Sequence, residues 1–377
     1  MKPISLAAFS AVLLAASVSA AEWHKSLPEG IAASVPSKLP VLLDFQAPWC
    51  YSCYYMEQRV LSKPAFEEAA KKIVPVKLDV DTPEGAAEKA KRAVTFLPTY
   101  IVLTSGGDRE LGRIIGEQTE ADFLKKLQTI TGGGALDDAA AHAVEEKIGA
   151  GDLDALRARL KTPDCRLPYA VEKGEPHVAK LAPGPRAQLL DLERGALAKL
   201  ADENLFGPPS DRCADFRSGV EALLDVHEAS GDKASREKLL DRAIAAMDRE
   251  GSVGQDRNRD DNLRFFLQLK DDQARLKDLY EKLIAAYPTD YVYAYRYAKY
   301  LAEHGKNAAA LPYAEKADKR AYGSNRLNVT AVRAKILAGL GRKPDAAALL
   351  KRDIKAGKPT FPKEAQVLEE QLASLGR

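Results

Sequence analysis

The sequence predicts an α/β domain at the N-terminus, followed by an all-α region that extends to the C-terminus. An apolar run with β propensity over residues 41–47 leads, after Pro48, into an amphipathic stretch that begins at about Cys50, which indicates a strand followed by a helix. Beyond the triple glycine at 132–134 the chain becomes rich in alanine, leucine and charge, with helical periodicity. Because 377 residues exceed one typical core, we expect two or three domains.

The first 20 residues are typical of a secretory signal peptide. Met-Lys-Pro precedes an apolar, alanine-rich run over residues 4–18, and small residues stand at positions −3 and −1 of a cut after Ala20. The alternative is an uncleaved anchor, but the apolar run is shorter than the ~20 residues that a spanning helix needs. We therefore expect the mature chain to be soluble and exported, and the signal is of the kind found on bacterial periplasmic proteins.

The elements of the first domain are expected in βαβα order. At most one brief helix precedes the strand at residue 41, because prolines bound that segment. Periodicity then predicts helices over 64–72, 83–93 and 121–130, and strands over 73–80, 99–104 and 110–115. Residues 105–108 form a hairpin turn between the last two strands, and Thr119 is the expected cap of the closing helix.

Cys50 and Cys53 are the predicted chemical centre. A strand-to-helix turn leaves Cys50 near a helix N-terminus, where unpaired N–H groups and the helix dipole favour a thiolate, so Cys50 is the predicted nucleophile. Cys53 lies three residues further on the same helical face, where it can attack a mixed disulfide on Cys50. Cys53 is therefore the predicted resolving thiol.

Three neighbouring residues carry further hypotheses, each with an alternative. Asp44 lies in an apolar run, where desolvation should raise its pKa and suit it to accept a proton; a solvent-facing aspartate on an edge strand is the alternative. Pro98 lacks an N–H, so a cis bond there would expose the preceding carbonyl beside the cysteines, whereas an ordinary trans turn proline would not. Trp49 is interpreted as functional surface, with core packing as the alternative.

Two further cysteines, Cys165 and Cys213, bring the total to four. An even number in a disulfide-permitting compartment favours two pairs, and we expect Cys165 and Cys213 to form a structural disulfide. Zinc is the competing interpretation of Cys-x-x-Cys, but no histidine stands at ligand spacing beside the cysteines. The sequence thus calls for no metal and no cofactor. Lys and Arg (56) nearly balance Asp and Glu (54), so no global charge recruits nucleic acid or an anionic membrane surface.

Residues 41–130 resemble the thioredoxin superfamily, which implies its α/β fold of a central mixed sheet flanked by helices. Asp44 stands six residues before Cys50, where the family keeps a buried acid that takes a proton from the resolving cysteine. The resemblance implies that Lys77 pairs with that acid, that Leu97-Pro98-Thr99 is the cis-proline segment and that Gly116 precedes the last helix. The sequence from Leu42 to Cys53 looks most like the periplasmic branch of the superfamily, which is typified by the C-terminal domain of the bacterial thiol:disulfide interchange membrane protein.

The pair between the cysteines departs from the family's common patterns. Tyr51-Ser52 replaces the Gly-Pro of typical thioredoxins, the Gly-His of isomerases and the Pro-His of strong oxidants. Because no histidine is present to stabilise the thiolate, we favour a reductant or an oxidoreductase of moderate potential.

The all-α region divides into two predicted parts. Residues 135–148 and 152–160 have helical periodicity, and residues 163–209 read as a loop-rich insert, closed by Cys165 and Cys213, with one helix over 186–200. From Val220 onward, inter-helix turns at Asp271, Gly305 and Gly341 are spaced by 34 and 36 residues, a repeat length that resembles tetratricopeptide repeats. Ala310 and Ala346 follow the last two turns at the same offset. A generic helical bundle is the alternative.

Six tyrosines cluster between residues 287 and 300, and their spacing prevents all of them from lying on one helix face. They indicate either a groove for a peptide or protein, or packing between repeats.

The predicted organisation is therefore a signal peptide over 1–20, a thioredoxin-like domain over 21–130, a helical linker with the stapled insert over 131–215, and a helical-repeat domain over 216–377. The first functional hypothesis is an exported thiol–disulfide oxidoreductase that uses Cys50 and Cys53 on disulfide- or thiol-containing exported proteins, is recycled by a redox partner, and holds clients with its repeats. The second is a protein-binding scaffold whose cysteine pair is a regulatory or vestigial switch.

Overall fold

The structure, a computed structural model, describes residues 22–136, 139–207 and 212–375. The predicted signal peptide lies outside these ranges. Among the helices that these ranges contain, none is long and apolar enough to cross a membrane.

The N-terminal domain is built on a four-stranded mixed sheet. The strands are β1 (Val41–Gln46), β2 (Val74–Asp79), β3 (Thr99–Leu103) and β4 (Glu110–Ile115), in the order β2-β1-β3-β4. Strand β1 runs parallel to β2 and antiparallel to β3, which forms the predicted hairpin with β4. The helices are α1 (Leu27–Ser37), α2 (Tyr51–Met56), which continues as a π-helical turn (Glu57–Leu61), α3 (Pro64–Ala70), α4 (Pro83–Lys91) and α5 (Glu120–Thr131). The predicted α/β fold is confirmed.

Strand β1 is the centre of this domain because it lies between two strands and is buried on both faces. Its alternating residues enter two apolar clusters, one containing Val41, Leu43 and Phe45, and the other containing Leu42. The first cluster also contains both cysteines of the Cys-x-x-Cys motif. The strand therefore delivers the motif directly from the core to the start of α2.

The all-α region forms the rest of the described chain. Its helices are α6 (Ala139–Gly149), α7 (Leu153–Arg159), α8 (Leu167–Val178), α9 (Pro183–Leu200) with a π-helical turn (Ala201–Leu205), α10 (Phe216–Ala229), α11 (Lys233–Arg249), α12 (Arg257–Leu269), α13 (Gln273–Ala286), α14 (Val292–Glu303), α15 (Asn307–Asp318), α16 (Gly323–Gly339), α17 (Lys343–Gly357) and α18 (Pro362–Leu375).

The predicted turns at Asp271, Gly305 and Gly341 separate α12 from α13, α14 from α15 and α16 from α17. All three residues have positive φ, a conformation that ends a helix and that glycine adopts without strain. Ala310 and Ala346 are fully buried. Their small side chains let the two helices of each hairpin approach closely. Tetratricopeptide-like repetition remains a prediction, with which this arrangement is consistent.

The segment between Cys165 and Cys213 differs from the predicted loop-rich insert, because α8 and α9 occupy most of it. Pro168 and Pro183 lie in the first turns of these helices, where a missing N–H costs no hydrogen bond. The buried apolar side chains of α8 and α9 join one apolar cluster that extends from Ile148 to Ile336. The predicted boundary at residues 215 and 216 therefore falls inside a continuous core.

Candidate active site

Cys50 and Cys53 are joined by a disulfide at the start of α2. Cys50 is the N-cap residue of this helix, and the backbone N–H of Cys53 donates to Cys50 Sγ at 3.1 Å. An N–H group directed at the sulfur favours the thiolate once the disulfide is reduced. The geometry thus suits Cys50 to nucleophilic attack and places Cys53 within one helical turn of it.

Asp44 is a buried carboxyl in the middle of β1, with 2% of its surface exposed. Burial raises the pKa of Asp44 from 3.8 to about 7, while the nearby charge of Lys77 opposes part of this rise. Its Oδ1 atom has no hydrogen-bond partner among the described residues. A carboxyl with a pKa near neutrality can both accept and release a proton at physiological pH.

Lys77 lies opposite Asp44 in the pairing of β1 with β2. Its Nζ forms an ion pair with the Glu57 carboxylate at 2.6 Å, and in the described structure no such pair joins it to Asp44. Lys77 therefore acts on Asp44 through space, and the direct pair that the family resemblance implies is replaced by one with Glu57.

If Asp44 accepts the proton of Cys53, replacing it with asparagine is expected to slow the resolution of mixed disulfides by Cys53, while attack by Cys50 persists. In the wild type the resolving rate should rise with pH up to about 7 and then level off, since only the carboxylate accepts the proton. Stopped-flow measurement of the two steps separates them, and equal resolving rates in both proteins at pH 7.5 would show that Asp44 is structural only.

The same substitution should stabilise the fold at alkaline pH. The folded-state pKa of Asp44 is raised, so between about pH 4 and 7 the folded chain holds a proton that the unfolded chain has released, and stability falls as pH rises through this window. A shift of this size corresponds to at most about 4 kcal/mol. Urea unfolding at pH 5 and pH 8 should show a clearly larger difference between the two proteins at the higher pH.

The Leu97–Pro98 peptide bond is cis. Leu97 packs against the cluster that contains both cysteines, and the Pro98 carbonyl accepts a hydrogen bond from the Gly116 N–H at 2.9 Å. Gly116 has a φ of 80°, which a residue with a side chain adopts only with strain. These contacts bring the ends of β3 and β4 together beside α2.

Trp49 lies at an interface between the two parts of the chain, with 36% of its surface exposed. Its Nε1–H donates to both carboxylate oxygens of Asp81, at 3.0 and 3.2 Å. Asp81 also accepts a hydrogen bond from Tyr291 of the helical region, at 3.4 Å, and its backbone carbonyl accepts one from the Ser324 N–H at 3.2 Å. Trp49 is thus held between the domain and the helical region rather than free at the surface.

The helical region contacts the catalytic loop directly, a feature that the sequence analysis did not predict. Three backbone carbonyls beside the cysteines accept hydrogen bonds from it: Pro48 from Arg257 at 3.4 Å, Trp49 from Arg296 at 2.8 Å and Tyr51 from Asn258 at 2.9 Å. We call Arg257, Asn258 and Arg296 the clamp residues. In the sequence, the feature that could have indicated these contacts is the charged run Arg257–Asp261, at the start of a helix in a region with otherwise apolar periodicity.

Two arginines also stack on tyrosines of α2. The Arg217 guanidinium lies 3.7 Å from the centre of the Tyr51 ring, and Arg257 lies 4.2 Å from that of Tyr54. Such cation–π contacts add to the attraction between the two parts of the chain.

A buried carboxylate, Asp261, holds Arg217 and Arg296 from within the helical region. Asp261 forms ion pairs with Arg217 at 2.8 Å and Arg264 at 2.9 Å, and also with Arg296. Burial opposes ionisation of Asp261, but the three guanidinium groups outweigh it and hold its pKa well below the usual range. One ionised carboxylate therefore holds both Arg296 of the clamp and Arg217, whereas Arg257 pairs with Asp290.

The cysteines themselves are nearly covered. Cys50 is 5% exposed and Cys53 is 8% exposed, and α12 lies against α2. A protein disulfide needs direct access to Cys50 Sγ, so this arrangement is a closed form of the site.

Glu117 is a second buried carboxyl beside the motif, and the sequence analysis did not single it out. Burial raises its pKa well above the ordinary value, the charge of Asp215 adds to this effect, and the Ser52 hydroxyl and Arg217 oppose it. The signal available in the sequence was its position directly after Gly116.

The second disulfide joins Cys165 and Cys213, which are 48 residues apart in the sequence. It ties the start of α8 to the segment that precedes α10. Within the described ranges, no group of three or more His, Cys, Asp or Glu side chains could hold a metal ion.

The fold and the Cys-x-x-Cys pair define a thioredoxin-like domain with the site of a thiol–disulfide oxidoreductase. A family profile described as thioredoxin-like matches residues 22–105. The thioredoxin of Mycobacterium bovis is 37% identical over 94 residues, which cover 25% of this chain and 76% of that protein. In its N-terminal part, the chain belongs to the thioredoxin family.

Other relatives match the same kind of domain. The thiol:disulfide interchange protein DsbD of Ralstonia nicotianae is 32% identical over 107 residues, which cover 28% of this chain and 17% of that protein. The solution structure of a thioredoxin from Thermus thermophilus is 30% identical, with 30% of this chain and 88% of that one covered and a TM-score of 0.28. The chain spans about a sixth of the length of the Ralstonia interchange protein.

Proposed function

We propose that the protein is an exported thiol–disulfide oxidoreductase that reduces or exchanges disulfides in periplasmic proteins, with its helical region controlling which clients reach the cysteines. The observation that carries this proposal is the set of contacts around α2: an N–H directed at Cys50 Sγ, Cys53 bonded to it, and a buried Asp44 with a pKa near neutrality. The predicted signal peptide supports export.

The reaction balances as two exchanges. The Cys50 thiolate attacks a client disulfide, forms a mixed disulfide and releases the first client thiolate. Cys53 then loses its proton, to Asp44 in this proposal, attacks Cys50 Sγ and releases the second client thiolate. The client gains two electrons, the protein is left with the Cys50–Cys53 disulfide, and an external dithiol partner must restore the reduced form.

Insulin reduction tests this activity. Full-length protein should accelerate the precipitation of insulin chains in the presence of dithiothreitol, and Cys50→Ala should return the rate to that of dithiothreitol alone. A wild-type rate equal to that of Cys50→Ala would reject the proposal.

The closed site implies that the clamp must open before a protein client can react. Arg257, Asn258 and Arg296 all bond to the loop that carries Cys50, so a client cannot reach the sulfur while they hold it. Each hydrogen bond contributes about 1 kcal/mol, which corresponds to about a five-fold change in the equilibrium between closed and open forms.

Replacing Asn258 and Arg296 with alanine is therefore expected to increase the rate of insulin reduction by roughly five-fold for each bond lost. Reduction of the disulfide by small dithiothreitol should change less, because a small thiol needs less opening. Arg275→Ala is the matched control, since Arg275 pairs with Asp248 on an exposed surface. Insulin rates that stay at the wild-type value in the double variant would show that the clamp does not limit access.

The covered site also favours a second candidate function, a protein-binding scaffold in which the cysteine pair is a redox switch. Reduction of Cys50–Cys53 would then alter the contacts of the clamp with α2 instead of serving catalysis. Insulin reduction at the background rate, together with a redox-dependent change in the helical region, would favour this candidate.

A further inference from the structure

A cavity of about 460 Å³ lies in the helical region between α8, α9 and α10. Its floor is apolar and includes Val171, Leu190 and Val226. We call this cavity, with its lining, the acidic groove, because six carboxyl side chains surround the floor: Glu172, Glu175, Glu193, Glu221, Asp225 and Glu228.

The negative charge of the acidic groove is hardly compensated within the described residues. Glu228 forms an ion pair with Arg236 at 3.1 Å, but no basic side chain forms an ion pair with any of the other five carboxyl groups in the described ranges. Among the described residues, Arg186 is the one basic residue in the lining, and its Nε is buried without a hydrogen-bond partner. The groove therefore has an excess of acceptors for a cation.

Glu193 provides a separate observation that indicates a ligand. This residue is 2% exposed, it lines the groove, and its Oε1 atom has no hydrogen-bond partner among the described residues. A buried polar atom without a partner costs about 1–3 kcal/mol, a cost that a bound donor removes. An ammonium or guanidinium group in the groove supplies such a donor.

The groove is also connected to the active site. Ser218 lines the groove, and its Oγ lies 3.5 Å from the hydroxyl of Tyr51, between the two cysteines. The preceding residue, Arg217, stacks on the ring of Tyr51. A ligand seated on α10 thus lies within one side chain of the catalytic motif.

We propose that the acidic groove binds a lysine- or arginine-bearing, amphipathic segment of a client protein and so holds that client beside Cys50. The aliphatic stem of the basic side chain covers the apolar floor, while its charged head reaches the carboxylates. The identification of the ligand as a client rests on the proposed function, but binding of the segment itself requires no catalysis.

The titration of the groove makes the expected binding of a cation depend on pH. Burial, aided by the charge of Glu175, raises the pKa of Glu193 to about 7. Burial also raises the pKa of Glu221 to about 7, against the effect of Arg217 and with contributions from Asp215, Asp225 and Glu172. Because a protonated carboxyl does not attract a cation, affinity should decrease as pH falls from 8 to 6.

The test is a direct binding measurement with the full-length protein. A fluorescein-labelled peptide of alternating leucine and lysine is titrated by fluorescence anisotropy, next to a peptide in which glutamate replaces lysine and one in which glycine replaces leucine. We expect binding of the first peptide only. Glu193→Gln and Glu221→Gln should each weaken it by about ten-fold, while Glu281→Gln, an exposed carboxyl of α13, should not.

Other outcomes overturn the proposal. Equal binding of the leucine-free peptide, or complete competition by millimolar spermidine or magnesium chloride, would show a site for small cations instead of a peptide segment. Equal affinities of wild type and both groove variants would place binding elsewhere. Because anisotropy is measured without turnover, failure of the insulin assay with intact peptide binding would reject the proposed function and leave the groove in place.

Discussion

Replacing Cys53 with alanine is expected to turn the protein into a trap for its clients. In the wild type, Cys53 lies one helical turn from Cys50 and is bonded to it, so its effective concentration against a mixed disulfide reaches roughly 10⁵ M or more. Without Cys53, resolution depends on external thiols at millimolar concentration, and the adduct should live longer by several orders of magnitude. Non-reducing gels of periplasmic extracts should therefore show adducts that dithiothreitol removes.

Cys50→Ala is the matched control for this experiment, since it removes the nucleophile from the same motif and should give no adducts. A combined Cys53→Ala, Arg296→Ala variant adds a test of the clamp, because an opened site should accumulate adducts faster. Absence of adducts from every Cys53→Ala protein would favour the redox-switch candidate over the enzyme.

Removing the Cys165–Cys213 disulfide is expected to cost about 4 kcal/mol in the free energy of unfolding. This value follows from the chain-entropy model for a closed loop of this size, in which the two cysteines are 48 residues apart. The double variant Cys165→Ser, Cys213→Ser should show the loss in urea unfolding followed by circular dichroism. The double variant Cys50→Ala, Cys53→Ala removes a disulfide that closes a much shorter loop, so its loss should be clearly smaller. Equal losses would contradict a structural role for Cys165–Cys213.

The N-terminal fold could be predicted because its signals are local. The apolar run of β1, the turn at Pro48 and the hairpin between β3 and β4 each lie within a few residues of sequence. The turns at Asp271, Gly305 and Gly341 were predictable for the same reason, since a positive φ selects residues that tolerate it.

The contacts between the two parts of the chain could not be predicted in this way. Asn258 and Tyr51 are 207 residues apart, and Arg296 and Trp49 are 247 residues apart. The hydrophobic periodicity of a helix does not indicate which distant backbone carbonyl will accept a hydrogen bond from its polar side chains. The segment between Cys165 and Cys213 was predicted to be loop-rich for a related reason, because a proline in the first turn of a helix looks in sequence like a loop residue.

The position of Lys77 illustrates the limit of a family resemblance. The resemblance placed Lys77 opposite Asp44, and the strand register does so. The choice of ion-pair partner, however, depends on Glu57, which the π-helical turn after α2 brings to the lysine. Within the described part of the chain, Asp44 is thereby left without a direct cation, which helps to keep its pKa near neutrality.

The central claim is that Cys50–Cys53 is the working redox couple and Cys165–Cys213 is not. The most direct measurement equilibrates the full-length protein in glutathione and dithiothreitol buffers of graded potential, alkylates the free thiols and counts them for each cysteine by mass spectrometry. We expect Cys50 and Cys53 to titrate together as one two-electron couple, at potentials where Cys165 and Cys213 stay oxidised. Opening of Cys165–Cys213 at potentials where Cys50–Cys53 remains oxidised would contradict the claim.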